Sequence, residues 1–420
     1  LLNLTRLEPK EGRGILQRKR TDYWREEVIT LACQIGRNLF DSPRQIRGRP
    51  IPSLLELPDG ARIAIIKPCC LGDVVLSTPL IRAINEARPD FQLDFVVSAW
   101  AKPVLEHNPR LRNLIDTGFE GSSFSLRQYL NLIQQLRSRK YQAALVLDRS
   151  PLLALLPWLA GIPLRAGLDS RGRGFALNLR AKLEANDPLQ HEAEIYLGVA
   201  RVAGIPTPNA QAEFYPGEAS KSSFRRKAAE LGLDLGQPLV VIHPGGGHNP
   251  DTVVLSKRWP APNFGEIAQR LAQSKVQVVF IGASSDRELA ERALKVAGSS
   301  PRLINAVEKF NLAESGALFE QAGLFVGNDT GLMHLAVACD TPTVAIFGPS
   351  NPVAYGPFTA QGQAVSPLKQ FVPEGLPLNE YQALSVAEGG IAGVTINQVW
   401  EAIQLFLPVK SRPQSSCSGS

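Results

Sequence analysis

The strongest constraint on this chain is a repeated alternation of short apolar runs with stretches of helical periodicity. It begins near Ala61 with "ARIAIIK" then "VVLSTPLIRAINEA", "QLDFVVS" then "AKPVLEH", "NLIDTGF" then "FSLRQYLNLIQQLRSRK", and "AALVLD". A second series holds "PLVVIHPGG" then "NFGEIAQRLAQSK", "VQVVFIG" then "DRELAERALKVAG", "LFVGND" then "LMHLAVACD", and "PTVAIFG". Strand and helix alternate this way when a parallel sheet is covered by helices on its faces. Two such series in 420 residues exceed one comfortable core and predict two α/β domains joined near residues 205–236.

The expected division is a basic extension over 1–60, a first domain over 61–215, a second over 216–408 and a polar tail over 409–420. Within the extension, "DYWREEVITLACQIGRNLF" places Trp24, Val28, Leu31, Ile35 and Leu39 on one side of an amphipathic helix. A linker dense in Pro, Gly and Arg follows it. Residues 1–50 carry eleven Lys/Arg against six Asp/Glu, so most of the net charge of +6 is concentrated there.

No apolar run reaches the length of a spanning helix, and "SPLLALLPWLAGIPL", interrupted by Pro157, reads as buried helix and turn. The first residues lack the order of a secretory signal, which points to a cytoplasmic protein. Five cysteines, including the adjacent Cys69 and Cys70, form no spaced framework and no metal-ligand pattern; reduced thiols are expected.

Ligands of α/β proteins bind outside the carboxyl ends of strands, and four turns there stand out. "IIKPCCLGDVVLSTP" has Gly72 and puts Asp73 in the first turn of a helix. That acid either complements the helix dipole or takes a proton from a hydroxyl nucleophile. Ser77 either hydrogen-bonds a ligand or bonds back to its own helix. "VVIHPGGGHNPDTVVLSKRWP" opens into glycines, including Gly245 and Gly246, whose amides can surround phosphate oxygens, with Lys257 adding a cation. In "VVFIGASSDRELAERAL", Ser284 and Asp286 either cap a helix or reach a ribose hydroxyl. In "GLFVGNDTGLMHLAVA", a strand runs through Asp329, Thr330 and Gly331 into a helix whose free amides make an anion site, with His334 one turn in.

Several classes are excluded. An aspartic protease needs two Asp-Thr/Ser-Gly turns sharing a proton, and the tripeptide occurs once. No Walker loop and no G-x-G-x-x-G opens a helix, against ordinary nucleoside triphosphatases and dinucleotide enzymes. Without a D-x-D pair, a sugar transferase relying on that metal motif is not expected either.

Taken together, "IKPCCLGDVVLSTPLIRAI", "HPGGG" followed by "KRWP", and "GNDTGLMHLAVACDTPTVAIFGPSNP" resemble the heptosyltransferase-like glycosyltransferases of family 9, in that family's order and spacing over about residues 61–405. The resemblance implies a GT-B fold, with two Rossmann-like α/β/α domains whose parallel sheets face across a cleft. It also implies a metal-independent, inverting transfer with no cofactor. The donor would be a nucleotide-sugar such as ADP-heptose and the acceptor a lipid-linked lipopolysaccharide glycan.

Asp73 resembles the family's general base, and Gly72 and Ser77 lie on the acceptor side. Gly245, Gly246, Lys257, Ser284, Asp286, Asp329, Thr330, Gly331 and His334 fall on the donor side. Cys69-Cys70 and the N-terminal extension depart from the family pattern; the extension either packs on the catalytic body or lies on an anionic inner-membrane surface. No nucleic-acid partner is expected. A sugar-nucleotide epimerase and a non-catalytic nucleotide-sugar-binding protein stay open as alternatives.

Overall fold

The computed structural model describes residues 29–36, 53–119, 124–183, 189–208, 210–249, 252–368 and 378–408. Most of the N-terminal extension and all of the tail after residue 408 lie outside them, as do Trp24, Val28 and Leu39 of the expected amphipathic helix.

The first sheet is built from β1 (Arg62–Ile66), β2 (Gln92–Val97), β3 (Leu111–Asp116), β4 (Ala143–Val146), β5 (Leu164–Ser170) and β6 (Leu179–Leu183). They lie in the order β3-β2-β1-β4-β5-β6 and every neighbouring pair is parallel. Beyond it come β7 (Leu239–His243), the antiparallel pair β8 (His248–Asn249) and β9 (Thr252–Val253), and then β10 (Gln277–Phe280), β11 (Leu303–Asn305), β12 (Leu324–Asn328), β13 (Thr343–Ile346) and β14 (Gly362–Val365). The second sheet, in the order β11-β10-β7-β12-β13-β14, is again parallel throughout. In both, the central strands bury side chains on both faces, which is why they read as unbroken apolar runs.

The helices of the first half are α1 (residues 29–36), α2 (Leu71–Leu76), α3 (Thr78–Ala87), α4 (Leu126–Ser138), α5 (Pro151–Leu159) and α6 (Glu192–Val202). Those of the second are α7 (Glu218–Glu230), α8 (Ala261–Gln273), α9 (Arg287–Ala297), α10 (Leu312–Gln321), α11 (Gly331–Ala338), α12 (Pro352–Tyr355), α13 (Leu378–Ala387) and α14 (Ile396–Gln404). Their starts follow local chemistry: Ser125 with Gln128, Asn311 with Glu314 and Thr395 with Gln398 form reciprocal capping boxes.

These elements stack in layers. α4 and α5 cover the outer face of the first sheet, and α8, α9 and α14 cover the outer face of the second. Between the sheets one continuous apolar cluster runs from α2, α3 and α6 to α7, α10 and α11. None of the described helices is long and apolar enough to cross a membrane.

Three local expectations change. The predicted helix "VVLSTPLIRAINEA" is two helices meeting at Ser77, because Pro79 has no amide to continue the ladder and suits the first turn of a new helix. "AKPVLEH" forms only the short 3-10 turn Lys102–Val104. The α5 segment is buried on one side alone, with Leu152 and Trp158 exposed. In α1 the buried residue is Cys33, and Leu31 and Ile35 of the apolar side face outward.

Candidate functional site

Strand β1 delivers its chain to the inner mouth of the first sheet at Lys67, which is only 6% exposed. Its ammonium Nζ lies 3.1 Å from Asp73 Oδ2 and 3.2 Å from Asp148 Oδ2. Burial disfavours that charge, but Asp73, Asp148 and Glu192 outweigh the penalty and hold the lysine above its ordinary range. Beside it Arg149 donates two hydrogen bonds to Glu192, at 2.6 and 2.9 Å. The ion pair with Lys67 aims Asp73, since a carboxylate paired with a buried ammonium has one preferred orientation.

Sequence reasoning missed Lys67, although a cation directly after an apolar strand and six residues before a candidate base was a readable signal. The loop after it also departs from expectation. Cys69 and Cys70 are joined in a disulfide, so these two thiols are not reduced. The turn from β1 into α2 brings the sulfurs of neighbouring residues together, a pairing that a search for spaced frameworks does not cover. Cys33 and Cys339 are buried.

Ser77 does not reach the cleft. It is fully buried and its hydroxyl donates to the Val74 carbonyl at 2.7 Å, just as Thr78 donates to Val75. The back-bonding alternative holds there because α2 ends at this point and leaves carbonyls to satisfy.

On the other side, β12 ends at Asn328, which is completely buried. Its side chain accepts from the Trp259 amide at 3.1 Å and donates to the carbonyls of Pro244 and Gly245 at 3.1 and 2.9 Å. One amide group thus ties the glycine loop and the Lys257–Trp259 segment to the start of α11; it too was missed from sequence. Asp329 follows and binds Lys257 Nζ at 2.6 Å. Thr330 caps α11 by accepting from the Met333 amide, and its Oγ1 lies 3.4 Å from His243 Nδ1.

The glycine loop is shaped by close approach. A Cβ on Gly245 would fall 2.0 Å from Asp286 Oδ1, and one on Gly246 would fall 2.1 Å from Thr330 Cγ2. Arg258 donates to the Gly246 carbonyl at 2.8 Å. Asp286 lies beneath this loop rather than in the open cleft. Its Oδ2 accepts from the Ala283 amide at 3.0 Å and stands 3.4 Å from His243 Nε2. Burial pushes its carboxyl upward, but His243 and the Ala283 amide more than compensate and lower it. It is a brace for the loop. Ser284 is exposed at the start of the 3-10 turn above it.

His334 is buried, and its Nδ1 has no hydrogen-bond partner. Burial depresses its pKa to about 4, partly opposed by Asp329, so the imidazole is neutral near pH 7.

The two sides meet where α2 touches α11. A Cβ on Gly72 would stand 3.0 Å from His334 Cδ2, and one on Gly331 would stand 2.5 Å from Leu71 Cδ2 and 3.4 Å from the Gly72 amide. Asp73, next to Gly72, is thereby set beside the turn Asp329–His334. A second bridge lies at His191. Its Nδ1 accepts from the Ala193 amide at 3.2 Å, so Nε2 carries the proton and donates to the Gly356 carbonyl at 2.9 Å. The ring also stacks on Phe358.

Residues 129–374 match glycosyltransferase family 9, described as heptosyltransferase. The chain belongs to this family. The family 9 chain is thus a glycosyltransferase, and its fold is GT-B. It is 29% identical over 312 residues to a lipopolysaccharide heptosyltransferase 2 of Salmonella typhimurium, covering 72% of this chain and 87% of that one. Its fold is similar to that of the family 9 glycosyl transferase from Veillonella parvula, with TM-score 0.70 at 23% identity, covering 83% of this chain and 98% of that one. The Escherichia coli ADP-heptose lps heptosyltransferase II superposes with TM-score 0.64 at 25% identity, over 82% and 98% of the two chains.

Proposed function

We propose that this family 9 glycosyltransferase moves heptose from ADP-heptose to a sugar hydroxyl of a lipopolysaccharide acceptor, with inversion and without a metal. The observation that carries the reading is the direct contact of α2 with α11, which sets Gly72, next to Asp73, against Gly331 and His334, while Lys257 is tied to the same turn through Asp329. The names of the relatives supply the donor sugar and the acceptor class.

Asp73 accepts the proton of the acceptor hydroxyl. The oxygen then attacks the anomeric carbon from the side opposite the diphosphate, and the bond from that carbon to the phosphate oxygen breaks with its electron pair going to the leaving group. The charge that develops on the diphosphate falls where the α11 amides and the Lys257 ammonium can stabilise it. Lys67 is a positioning residue, holding the carboxylate of Asp73 toward the cleft. The acceptor is lipid-linked, so the enzyme works at the cytoplasmic face of the inner membrane.

The test is Asp73→Asn in the purified enzyme. Turnover with ADP-heptose and acceptor is expected to fall by about 10²–10⁴-fold, the usual worth of a general base, with ADP affinity kept. Normal turnover overturns the assignment. Incubation with donor alone separates transfer from epimerisation, because an epimerase changes the sugar nucleotide without acceptor.

A further inference from the structure

We propose that the outer face of α4 and α5 is a contact surface for an anionic lipid bilayer. This rests on the reading of a lipid-linked acceptor and adds which part of the molecule meets the lipid.

The two helices are parallel neighbours. Near their starts Tyr129 Oη donates to the Leu152 carbonyl at 2.7 Å, and near their ends Arg137 Nη2 donates to the Leu159 carbonyl at 2.6 Å. Their inner sides are spent on the core, through Leu132, Leu136, Leu153 and Leu156 packed on β1 and β4. Their outer sides leave Leu126 73%, Leu130 54% and Leu152 47% exposed. One exposed leucine needs no explanation, but three on one pair of adjoining helices do.

The charges on this face are mostly positive, with one exposed acid, Asp116, at the end of β3 before α4. Neither α4 nor α5 contains an Asp or Glu, while Arg127 and Arg137 lie in α4 and Arg139 and Lys140 directly after it. Asp148, just before α5, is turned inward onto Lys67. Apolar side chains among four cations, with one exposed acid beside them, suit the interface of a bilayer carrying negative headgroups.

The other occupants fit worse. The N-terminal extension holds eleven Lys/Arg against six Asp/Glu over residues 1–50 and would bring cations to cations. A second copy docking about a two-fold axis would set the same arginines against each other.

Placement agrees as well. α4 and α5 begin at the carboxyl ends of β3 and β4, the rim that also carries Asp73 and Asp148. A bilayer seated there lies beside the mouth of the cleft, where a lipid-linked hydroxyl has to arrive. On the same rim α1 packs near Phe175 beyond β5 and presents Ile29, Leu31 and Ile35 outward.

The experiment is flotation of the full chain, without donor or acceptor, on phosphatidylcholine vesicles with and without phosphatidylglycerol. The wild type is expected to float with the anionic vesicles and to detach in high salt. Leu130→Gln combined with Leu152→Gln, and separately Arg127→Glu, should each lower the bound fraction by about tenfold or more, because burying a single leucine is worth at least that in partition. Thermal stabilisation by ADP should be kept in each variant, which shows that it is folded.

Wild-type binding that these variants leave unchanged, or no wild-type binding at all, overturns the proposal. So does a wild-type dimer in light scattering that Leu130→Gln with Leu152→Gln dissociates, since the face would then be covered by a second copy. If vesicle binding behaves as expected but no sugar reaches a lipopolysaccharide acceptor, the acceptor reading fails while the surface stands.

Discussion

At Gly246 the backbone φ is +115°, and a Cβ built there would lie 2.1 Å from Thr330 Cγ2. Carbon atoms settle at about 3.5–4.0 Å, so in Gly246→Ala either the loop or Thr330 has to retreat by roughly 1.4 Å or more. Thr330 caps α11 and touches His243, so its retreat moves the start of the helix that is to receive the diphosphate. A misplacement of about 1 Å in a positioning group costs on the order of 10²-fold in rate, and an alanine held at positive φ adds about 1–3 kcal/mol of strain.

Gly298→Ala supplies the control. Gly298 ends α9 with φ +82° and nothing within 4 Å of its would-be Cβ, so that variant suffers strain without a clash. ADP affinity by calorimetry, kcat/KM for transfer and Tm should separate the two. Gly246→Ala is expected to lose affinity and rate as well as Tm, and Gly298→Ala to lose Tm alone. Equal ADP affinity in both variants would refute the claim that the glycine loop must touch Thr330.

Lys257→Met should weaken ADP binding by about tenfold or more and, by leaving the buried Asp329 unpaired, destabilise the fold by about 1–3 kcal/mol, a range reduced because the Lys257 side chain is 29% exposed; calorimetry and urea unfolding read the two effects. Asn328→Ala strands the Trp259 amide and frees the Pro244 and Gly245 carbonyls, costing about 1–3 kcal/mol in urea unfolding together with ADP affinity. For pH, burial lowers His334 from 6.5 in the unfolded chain to about 4 in the fold. Between those values the unfolded chain binds the extra proton, so stability rises with pH and falls on acidification by up to about 1.36 kcal/mol per pH unit. His191, also lowered by burial, acts with the same sign; urea midpoints at pH 7 and pH 5 should converge in His334→Gln.

Much of the fold was readable because the parallel strands are apolar on both faces and each is followed by a periodic helix. The turn proposed for the donor was readable as a strand-to-helix junction for a related reason: Asp329, Thr330 and Gly331 are contiguous, and such a turn exposes its amides wherever it occurs. What escaped were relations between distant segments. Lys67 gains its meaning from Asp148, 81 residues on, and Asn328 from loops 69 to 84 residues away. Asp286, a candidate for ribose, is turned under the glycine loop by His243. Local patterns show which groups stand at the carboxyl end of a strand, but the packing of one loop on another decides whether they face ligand or protein.

The contact of Gly72 with the start of α11 has a mechanical consequence. It is one of the places where the layers of the two sheets meet, and it is made of bare backbone against backbone and ring. A methyl group there would be a wedge between the layers, working against the second bridge, the hydrogen bond between His191 and Gly356. In the proposed reaction, the spacing between proton acceptor and leaving group is therefore gauged by two side chains that are not there.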